Sequence, residues 1–174
     1  IKQVGYPNAM SVASAENLKN AINKKTAGIL YVFSNPGGWM PEGALDLTST
    51  LRVAKSQKLP VVVDAAAQLP PVENLWRFTE MGAAAVLFSG GKDLRGPQSS
   101  GLVVGKKEFI ELVEKLNFFN YGIGRVLKTG REEIVGLLSA VEQYVGMDHE
   151  KRNQWVEAQI KKLVEYSRKS RLYK

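Results

Sequence analysis

Residues 83–105 read AAAVLFSGGKDLRGPQSSGLVVG, two apolar runs on either side of a polar, glycine-rich segment. The runs 83–88 and 102–104 are short and apolar throughout, which is typical of strands buried inside a sheet. Ser89 follows the first run, and two glycines separate it from Lys92. A lysine placed just after a buried strand lies at the end of a sheet, where open parallel sheets bind ligands. The stretch therefore predicts a sheet with a polar site at one edge.

The same alternation of apolar runs and helical patterns extends from residue 14 to residue 116. Two further buried strands are predicted at 28–33 and 61–63. Amphipathic helices are predicted at 14–22, from Asp46 onward, at 72–81 and at 106–116. Strands that alternate with helices form a mostly parallel sheet, so the sequence predicts an α/β fold.

The pattern changes in the C-terminal part. Residues 117–130 form a glycine-bearing loop, and from Arg131 apolar residues recur at helical spacing. This spacing continues past Asp148 to Val164, which predicts one long helix. A parallel sheet that begins with a helix at residue 14 would lack its earlier strands, so we expect the sequence to be part of a longer polypeptide.

Composition limits the classes of function. The 174 residues include no cysteine, which excludes disulfides, thiolate metal sites and cysteine nucleophiles. No apolar run approaches the ~20 residues that cross a bilayer, so no membrane partner is expected and a cytoplasmic location is the default. The net charge is +7, but residues 151–174 hold eight Lys/Arg and two acids, which leaves 16 basic and 15 acidic residues in 1–150. A nucleic-acid partner is therefore not favoured.

Polar clusters follow three of the predicted strands: SNPGG at 34–38, DAAAQ at 64–68 and SGGK at 89–92. Each cluster alone is ordinary, because an Asn-Pro turn, a helix-capping aspartate and a surface lysine are all common. The carboxyl ends of neighbouring parallel strands meet at the same edge of a sheet. Together, the clusters therefore predict one site.

The chemistry of this site favours a cofactor over a bound nucleotide. A Walker A loop is excluded because Val86 and Asp93 occupy its first-glycine and Ser/Thr positions. Pyridoxal 5'-phosphate needs a lysine for an imine, an acid that keeps the pyridine nitrogen protonated, and donors for its phosphate. Partial desolvation would help Lys92 to lose its charge, and the flanking glycines would let the cofactor approach the backbone.

The sequence resembles the fold-type-I (aspartate-aminotransferase-like) pyridoxal phosphate enzymes, and within them the group of selenocysteine synthase and D-glucosaminate-6-phosphate ammonia-lyase. The stretches that carry the resemblance are SNPGG (34–38), VVVDAAAQLPP (61–71), FSGGKDLRGPQSSGLVVG (88–105) and GRVLKTGREEIVGLLSAVEQY (124–144). The resemblance covers nearly the whole chain. The resemblance implies that residues 1–130 are the C-terminal half of the cofactor-binding large domain. Residues 131–174 would be an interdomain helix and the truncated start of a small domain.

Carried over residue by residue, the resemblance assigns roles around the cofactor. Lys92 would bind it covalently as a Schiff base, and Asp64 would pair with its pyridine nitrogen. Ser89 would contact the phosphate, Ala66 would pack on a face of the ring, and Asn35 would reach the phenolic oxygen. Family members assemble their sites at subunit interfaces, so a homodimer or higher homo-oligomer is expected.

The remaining assignments are less direct. Gln68 resembles the cofactor-binding glutamine of cysteine desulfurases, but it lies one residue later than in the usual Asp-x-x-Gln spacing. Three cations are either ligands for a substrate carboxylate or phosphate, or surface residues in loops: Arg95, Arg125 and Lys128. His149, on the predicted long helix, is expected to be a solvated or packing residue.

The resemblance favours a lyase that removes ammonia, with β-elimination of water, from an amino-sugar acid such as D-glucosaminate 6-phosphate. The first alternative is a pyridoxal phosphate-dependent transferase that acts on seryl-tRNA, as in selenocysteine synthase. The basic excess confined to the C-terminal segment, and the sequence AAAQ after Asp64 in place of a glycine-rich one, weigh against it. The second alternative is a binding fragment without catalytic activity, and the fragment alone is expected to be inactive.

Overall fold

The computed structural model describes residues 1–4, 13–33 and 43–170, and its centre is a four-stranded sheet. The strands lie side by side in chain order: β1 (Ile29–Val32), β2 (Val61–Asp64), β3 (Ala85–Ser89) and β4 (Gly101–Gly105). The first three strands are parallel, whereas β4 returns antiparallel to β3. The predicted α/β fold with a mostly parallel sheet is therefore confirmed.

Helices occupy the segments where the sequence predicts them. They are α1 (Ala15–Ala21), α2 (Leu47–Ser56), α3 (Asn74–Glu80), α4 (Lys107–Leu116), α5 (Arg131–Val145) and α6 (His149–Lys169), with a short 3-10 helix at Phe118–Asn120. Side chains cap the N-termini of α1 and α2 as expected, since Asn17 N donates to Ser14 Oγ at 3.1 Å and Ser49 N donates to Asp46 Oδ1 at 2.6 Å. Among the described helices, none is both long enough and apolar enough to cross a membrane.

One face of the sheet is buried and the other is partly open. Tyr31, Val63 and Val86 belong to the buried core, to which α2 and α3 contribute apolar side chains. On the opposite face Leu30 is 61% exposed and Val32 is 53% exposed. The expectation that strand 28–33 is buried on both faces is therefore wrong for the described residues. The reason is that the core cluster lies against one face of β1, the face of Tyr31, and leaves the other face uncovered among the described residues.

The predicted single long helix is two helices. α5 ends at Val145, and Gly146 closes it. Asp148 then caps α6, because its Oδ1 accepts from Lys151 N at 2.9 Å. A glycine followed within two residues by an N-capping aspartate ends one helix and begins the next, even though the apolar spacing continues across the junction.

Candidate active site at the carboxyl edge of the sheet

Asp64 is the last residue of β2, the strand between β1 and β3, and its neighbours across the sheet are Val32 and Leu87. Its side chain is half-buried, and Oδ1 accepts a hydrogen bond from Ala66 N at 3.1 Å. This contact bends the chain at the strand end and fixes the carboxylate there. Among the described residues, Oδ2 accepts no hydrogen bond, so one carboxylate oxygen is available to a ligand.

Ser89 ends β3 on the same face of the sheet as Asp64. Asp64 lies opposite Leu87, and side chains two positions apart in a strand share a face. On the other side, Ser89 pairs with Gly101 of β4, which places no side chain beside the hydroxyl. Neighbouring strands lie about 4.8 Å apart, so the carboxylate and the hydroxyl belong to one local site.

Lys92 lies in a loop that its own backbone holds firmly. Gly90 N donates to Ser100 O at 2.9 Å, Gly96 N donates to Gly90 O at 2.8 Å, and Arg95 N donates to Lys92 O at 2.9 Å. The side chain of Lys92 is exposed among the described residues. The expected partial desolvation of this lysine is therefore not provided by the described part of the chain.

The glycines before Lys92 have a local packing role. A Cβ on Gly90 would lie 2.0 Å from Ser100 Oγ and 2.9 Å from Leu137 Cδ1, and a Cβ on Gly91 would lie 2.6 Å from Gln98 Cα. No side chain fits at either position without a shift of its neighbours. Glycine is required at both positions because atoms of the same loop, and at Gly90 also of α5, occupy the space of a side chain. The sequence analysis expected the glycines to make room for a ligand and did not consider this local packing.

Two other predicted cofactor ligands follow Asp64. Ala66 is half-buried directly after the strand end. Gln68 is buried, its backbone N donates to Ala65 O at 3.0 Å, and its backbone O accepts from Asn74 Nδ2 at 2.6 Å. Gln68 is thus anchored within the protein beside the site. Asn35 lies outside the described residues.

The three predicted substrate-binding cations lie on two different segments. Arg95 belongs to the Lys92 loop, has a left-handed backbone with a φ of 59°, and lines a groove of about 260 Å³ between this loop and α5. Arg125 stacks on the ring of Tyr121 at 4.5 Å, and Lys128 is exposed three residues later. Their segment is fastened to α4, because Gly124 N donates to Leu116 O at 2.8 Å.

One cluster beside the site was missed by the sequence analysis. Asp93, the residue after Lys92, accepts a hydrogen bond from the Tyr144 hydroxyl at 2.6 Å and forms an ion pair with Arg152. The sequence analysis gives Tyr144 no role of its own, and it counts Arg152 only among the basic residues of the C-terminal segment. The one sequence signal was an acid next to the lysine, which on its own predicts no partner.

The arrangement can hold a ligand at three points. A carboxylate oxygen, a hydroxyl and a primary amine follow the ends of two adjacent parallel strands, at the edge where such sheets bind ligands. The set combines an acceptor for a protonated ring nitrogen, a donor for an anion, and a nucleophile.

Comparison with known proteins identifies a matching family model and several relatives. The family model described as "SelA: L-seryl-tRNA selenium transferase" matches residues 2–168. The D-glucosaminate-6-phosphate ammonia lyase of Salmonella typhimurium (strain 14028s / SGSC 2262) is 37% identical over 144 residues, which cover 83% of this chain and 36% of that protein. A 5'-C-glycyluridine monooxygenase-decarboxylase of Streptomyces sp is 31% identical over 144 residues, covering 83% of this chain and 34% of that protein.

A solved structure matches as well. The structure of D-glucosaminate-6-phosphate ammonia-lyase superposes with a TM-score of 0.70 at 34% sequence identity, covering 85% of this chain and 37% of that one. The chain thus spans about a third of the length of the curated relatives it matches. The two curated relatives carry names of different reactions.

Proposed function

This chain belongs to the SelA (L-seryl-tRNA selenium transferase) family, and on that premise we propose that it is the part of a pyridoxal 5'-phosphate-dependent ammonia-lyase that carries the cofactor lysine. The observation that carries the proposal is that Lys92, Asp64 and Ser89 follow the ends of adjacent parallel strands, in a chain 37% identical to an ammonia lyase. The proposed substrate class is an amino-sugar acid, such as D-glucosaminate 6-phosphate.

The described residues suit the cofactor. Asp64 Oδ2 has no hydrogen-bond donor among them, and it would hold a proton on the pyridine nitrogen. The Ser89 hydroxyl, with no side chain opposite it at Gly101, would donate to the phosphate. Lys92 is exposed and would bind the cofactor covalently. The proposed roles of Ala66, Gln68 and Asn35 rest on the sequence resemblance.

When bound, pyridoxal phosphate supplies an electron sink for the negative charge that develops at the α-carbon of the substrate. Asp64 would maintain that sink by keeping the ring nitrogen protonated. Lys92 Nζ, once free, would accept the proton from the α-carbon. The β-hydroxyl would then take up the proton held on Lys92 Nζ and leave as water, and hydrolysis of the product would yield a 2-oxo acid and ammonia. Arg95, on the loop of the lysine, is the proposed ligand of the substrate's carboxylate or phosphate, with Arg125 and Lys128 as further candidates.

The deciding experiment is borohydride reduction of the holoprotein followed by peptide mapping. The cofactor label is expected on Lys92, and Lys92→Ala is expected to lose both the label and the visible absorbance. Lys106→Ala is the matched control, because Lys106 lies near the amino end of β3, away from the proposed site, where its backbone N donates to Ala84 O. A label on another lysine would contradict the proposal and would leave the binding-fragment alternative.

A second candidate function is the transferase on seryl-tRNA, which is favoured by the description of the family model that matches residues 2–168. Both candidates use the same lysine and the same acid, so reduction by borohydride does not separate them. They differ in the partner, because only the transferase must hold a polyanion. Binding of tRNA therefore distinguishes them.

Two features of the whole protein are also proposed. Residues 1–130 would belong to the large domain, and residues 131–174 would lead into a small domain. Support for a segment that leads away from the large domain comes from α6, in which no residue is fully buried. The assembly would be a homodimer or a larger homo-oligomer in the cytoplasm, and light scattering of the holoprotein measures its mass.

A further inference from the structure

Asp93 joins the loop of Lys92 to two helices that lie far from it in the sequence. Its Oδ2 accepts from the Tyr144 hydroxyl at 2.6 Å and from Arg152 Nη1 at 3.1 Å, and its Oδ1 pairs with Arg152 Nη2. Tyr144 lies at the end of α5, and Arg152 lies in the first turn of α6. The carboxylate thus holds both sides of the α5–α6 junction.

This contact is protected from water. Tyr144 is 1% exposed, and the side chains of Arg152 and Asp93 are 15% and 18% exposed. Arg152 Nε is buried without a hydrogen-bond partner among the described residues, so the charge of Arg152 is balanced by Asp93. In the described part of the chain this is the one ion pair that forms. Breaking a shielded pair by removing one partner is far more disruptive than breaking an exposed one.

Further contacts join the residues of the α5–α6 junction. The ring of His149 meets the ring of Tyr144 edge-on at 4.8 Å, and His149 Nε2 lies 2.7 Å from Tyr144 O. His149 is therefore a packing residue, as expected. Asp148 caps the first turn of α6, which fixes Arg152 relative to Tyr144. A movement of α6 would consequently be transmitted to Asp93.

Lys92 is held on both sides by this arrangement. Before it, Gly91 packs against Gln98, whose Nε2 donates to Gly91 O at 2.9 Å. After it come Asp93, fixed by the two helices, and Leu94, which is buried in the core. The residues on both sides of Lys92 are thus tied by contacts to the loop itself, to the core and to the two helices.

We propose that Asp93, Tyr144 and Arg152 are positioning residues that set the place of Lys92 at the sheet edge and couple it to the α5–α6 junction. The consequence for catalysis rests on the proposed role of Lys92 as the cofactor lysine. The coupling of the Lys92 loop to the α5–α6 junction does not rest on that role, because it concerns only the positions of the loop and the helices. Rotation of α6 relative to the sheet would move Lys92, so this junction is where a conformational change of the holoprotein would reach the site.

The test compares Asp93→Asn, Tyr144→Phe and Arg152→Gln with two matched controls in the holoprotein. Glu142→Gln removes an exposed acid from α5, and Lys151→Gln removes an exposed base from α6. Amide hydrogen exchange of Arg95 and Gly96, whose N–H groups close the Lys92 loop, is expected to accelerate about tenfold or more in the three variants, since each loses a charge-assisted hydrogen bond. The controls are expected to exchange as the wild type does.

A second measurement separates positioning from stability. At a temperature where all the variants are folded, the rate of borohydride reduction at Lys92 and the visible spectrum are expected to change in Asp93→Asn, and kcat is expected to fall more than KM rises. A variant with a lower Tm but an unchanged reduction rate, spectrum and kcat would overturn the proposal. If Asp93→Asn does not fold, Tyr144→Phe decides, because it removes one hydroxyl and keeps the ion pair.

The outcomes also separate the two proposals. Wild-type labelling on a lysine other than Lys92 contradicts the proposed function, and loop exchange still tests the mechanical coupling. Labelling on Lys92 together with unchanged loop exchange in Asp93→Asn overturns the coupling and leaves the proposed function standing. The double variant Asp93→Asn/Arg152→Gln is expected to match Asp93→Asn alone, because the two residues act through one contact.

Discussion

Tyr31 is a residue with a polar group inside an apolar layer. Its ring lies in the core beneath α2, and its hydroxyl donates to Leu45 O at 3.4 Å. Burial, and to a smaller extent the nearby Asp46 carboxylate, together raise the pKa of the phenol to about 12. The folded protein therefore keeps this group neutral at a pH where the unfolded chain, with a tyrosine pKa near ~10, does not.

The sign of the pH effect follows directly. The stabilisation that the raised pKa of Tyr31 contributes is complete below about pH 10 and is lost as the pH rises towards about 12, because the tyrosine of the unfolded chain releases its proton first. The Tm is expected to fall across this interval, and to fall less in Tyr31→Phe. Tyr144, whose pKa is also raised by burial and by Asp93, remains in both proteins. Parallel Tm curves for the two proteins would show that Tyr31 makes no such contribution.

At the same scale, the sequence predicted the strand-end residues better than their neighbours. Asp64, Ser89 and Lys92 could be placed because the change from apolar to polar residues marks the end of a buried strand, and the ends of neighbouring parallel strands lie at the same edge of the sheet. The partner of Asp93 could not be predicted, since the contact with Arg152 spans 59 positions. No local pattern distinguishes an arginine that reaches back to a loop from one that faces water.

Among the elements, the loop between β3 and β4 leaves no room for a side chain at Gly90. In Gly90→Ala the new Cβ would meet Ser100 Oγ at 2.0 Å and Ser100 O at 2.9 Å. We expect a loss of about 1–3 kcal/mol of unfolding free energy, because a well-packed region has to move to admit the methyl group. Gly101→Ala is the control, since its Cβ would have one ordinary neighbour, Phe88 O at 3.5 Å. Denaturant unfolding measures both, and equal losses would show that the fit is loose.

The break between α5 and α6 shows what periodicity cannot resolve. Apolar spacing reports which face of a helix is buried, and it continues with little change when one helix follows another closely. The end of a helix is decided by single residues instead, here Gly146 and Asp148. A glycine and a capping acid in adjacent turns were available in the sequence as a signal, and they outweigh the apolar pattern.

At the scale of the whole molecule, charge separates the two candidate functions. The basic excess lies in residues 151–174, and the lysines and arginines of α6 are exposed apart from Arg152. We expect no complex of the holoprotein with seryl-tRNA in gel-shift titrations at 50 and 200 mM salt. A transferase that contacts ~6–10 phosphates would instead bind at low salt and lose ~10³–10⁵ in affinity at the higher salt. Such a result would favour the transferase.

The sheet marks the limit of prediction at this scale. The parallel direction of β1, β2 and β3 follows from the alternation of strands and helices, whereas the strand order and the antiparallel return of β4 do not. The open face with Leu30 and Val32 does not follow, because an apolar strand indicates that something must cover it and not which element does.

The contact between Asp93 and Arg152 also constrains how these proteins can diverge. An acid at position 93 has its partner 59 positions away, on another helix. Loss of either charge alone leaves a shielded ion unbalanced, so single changes at these positions should be rare in evolution and paired changes tolerated. Related sequences that lack the acid at this position are therefore expected to lack the arginine as well, and the two columns of an alignment should covary while their neighbours drift independently.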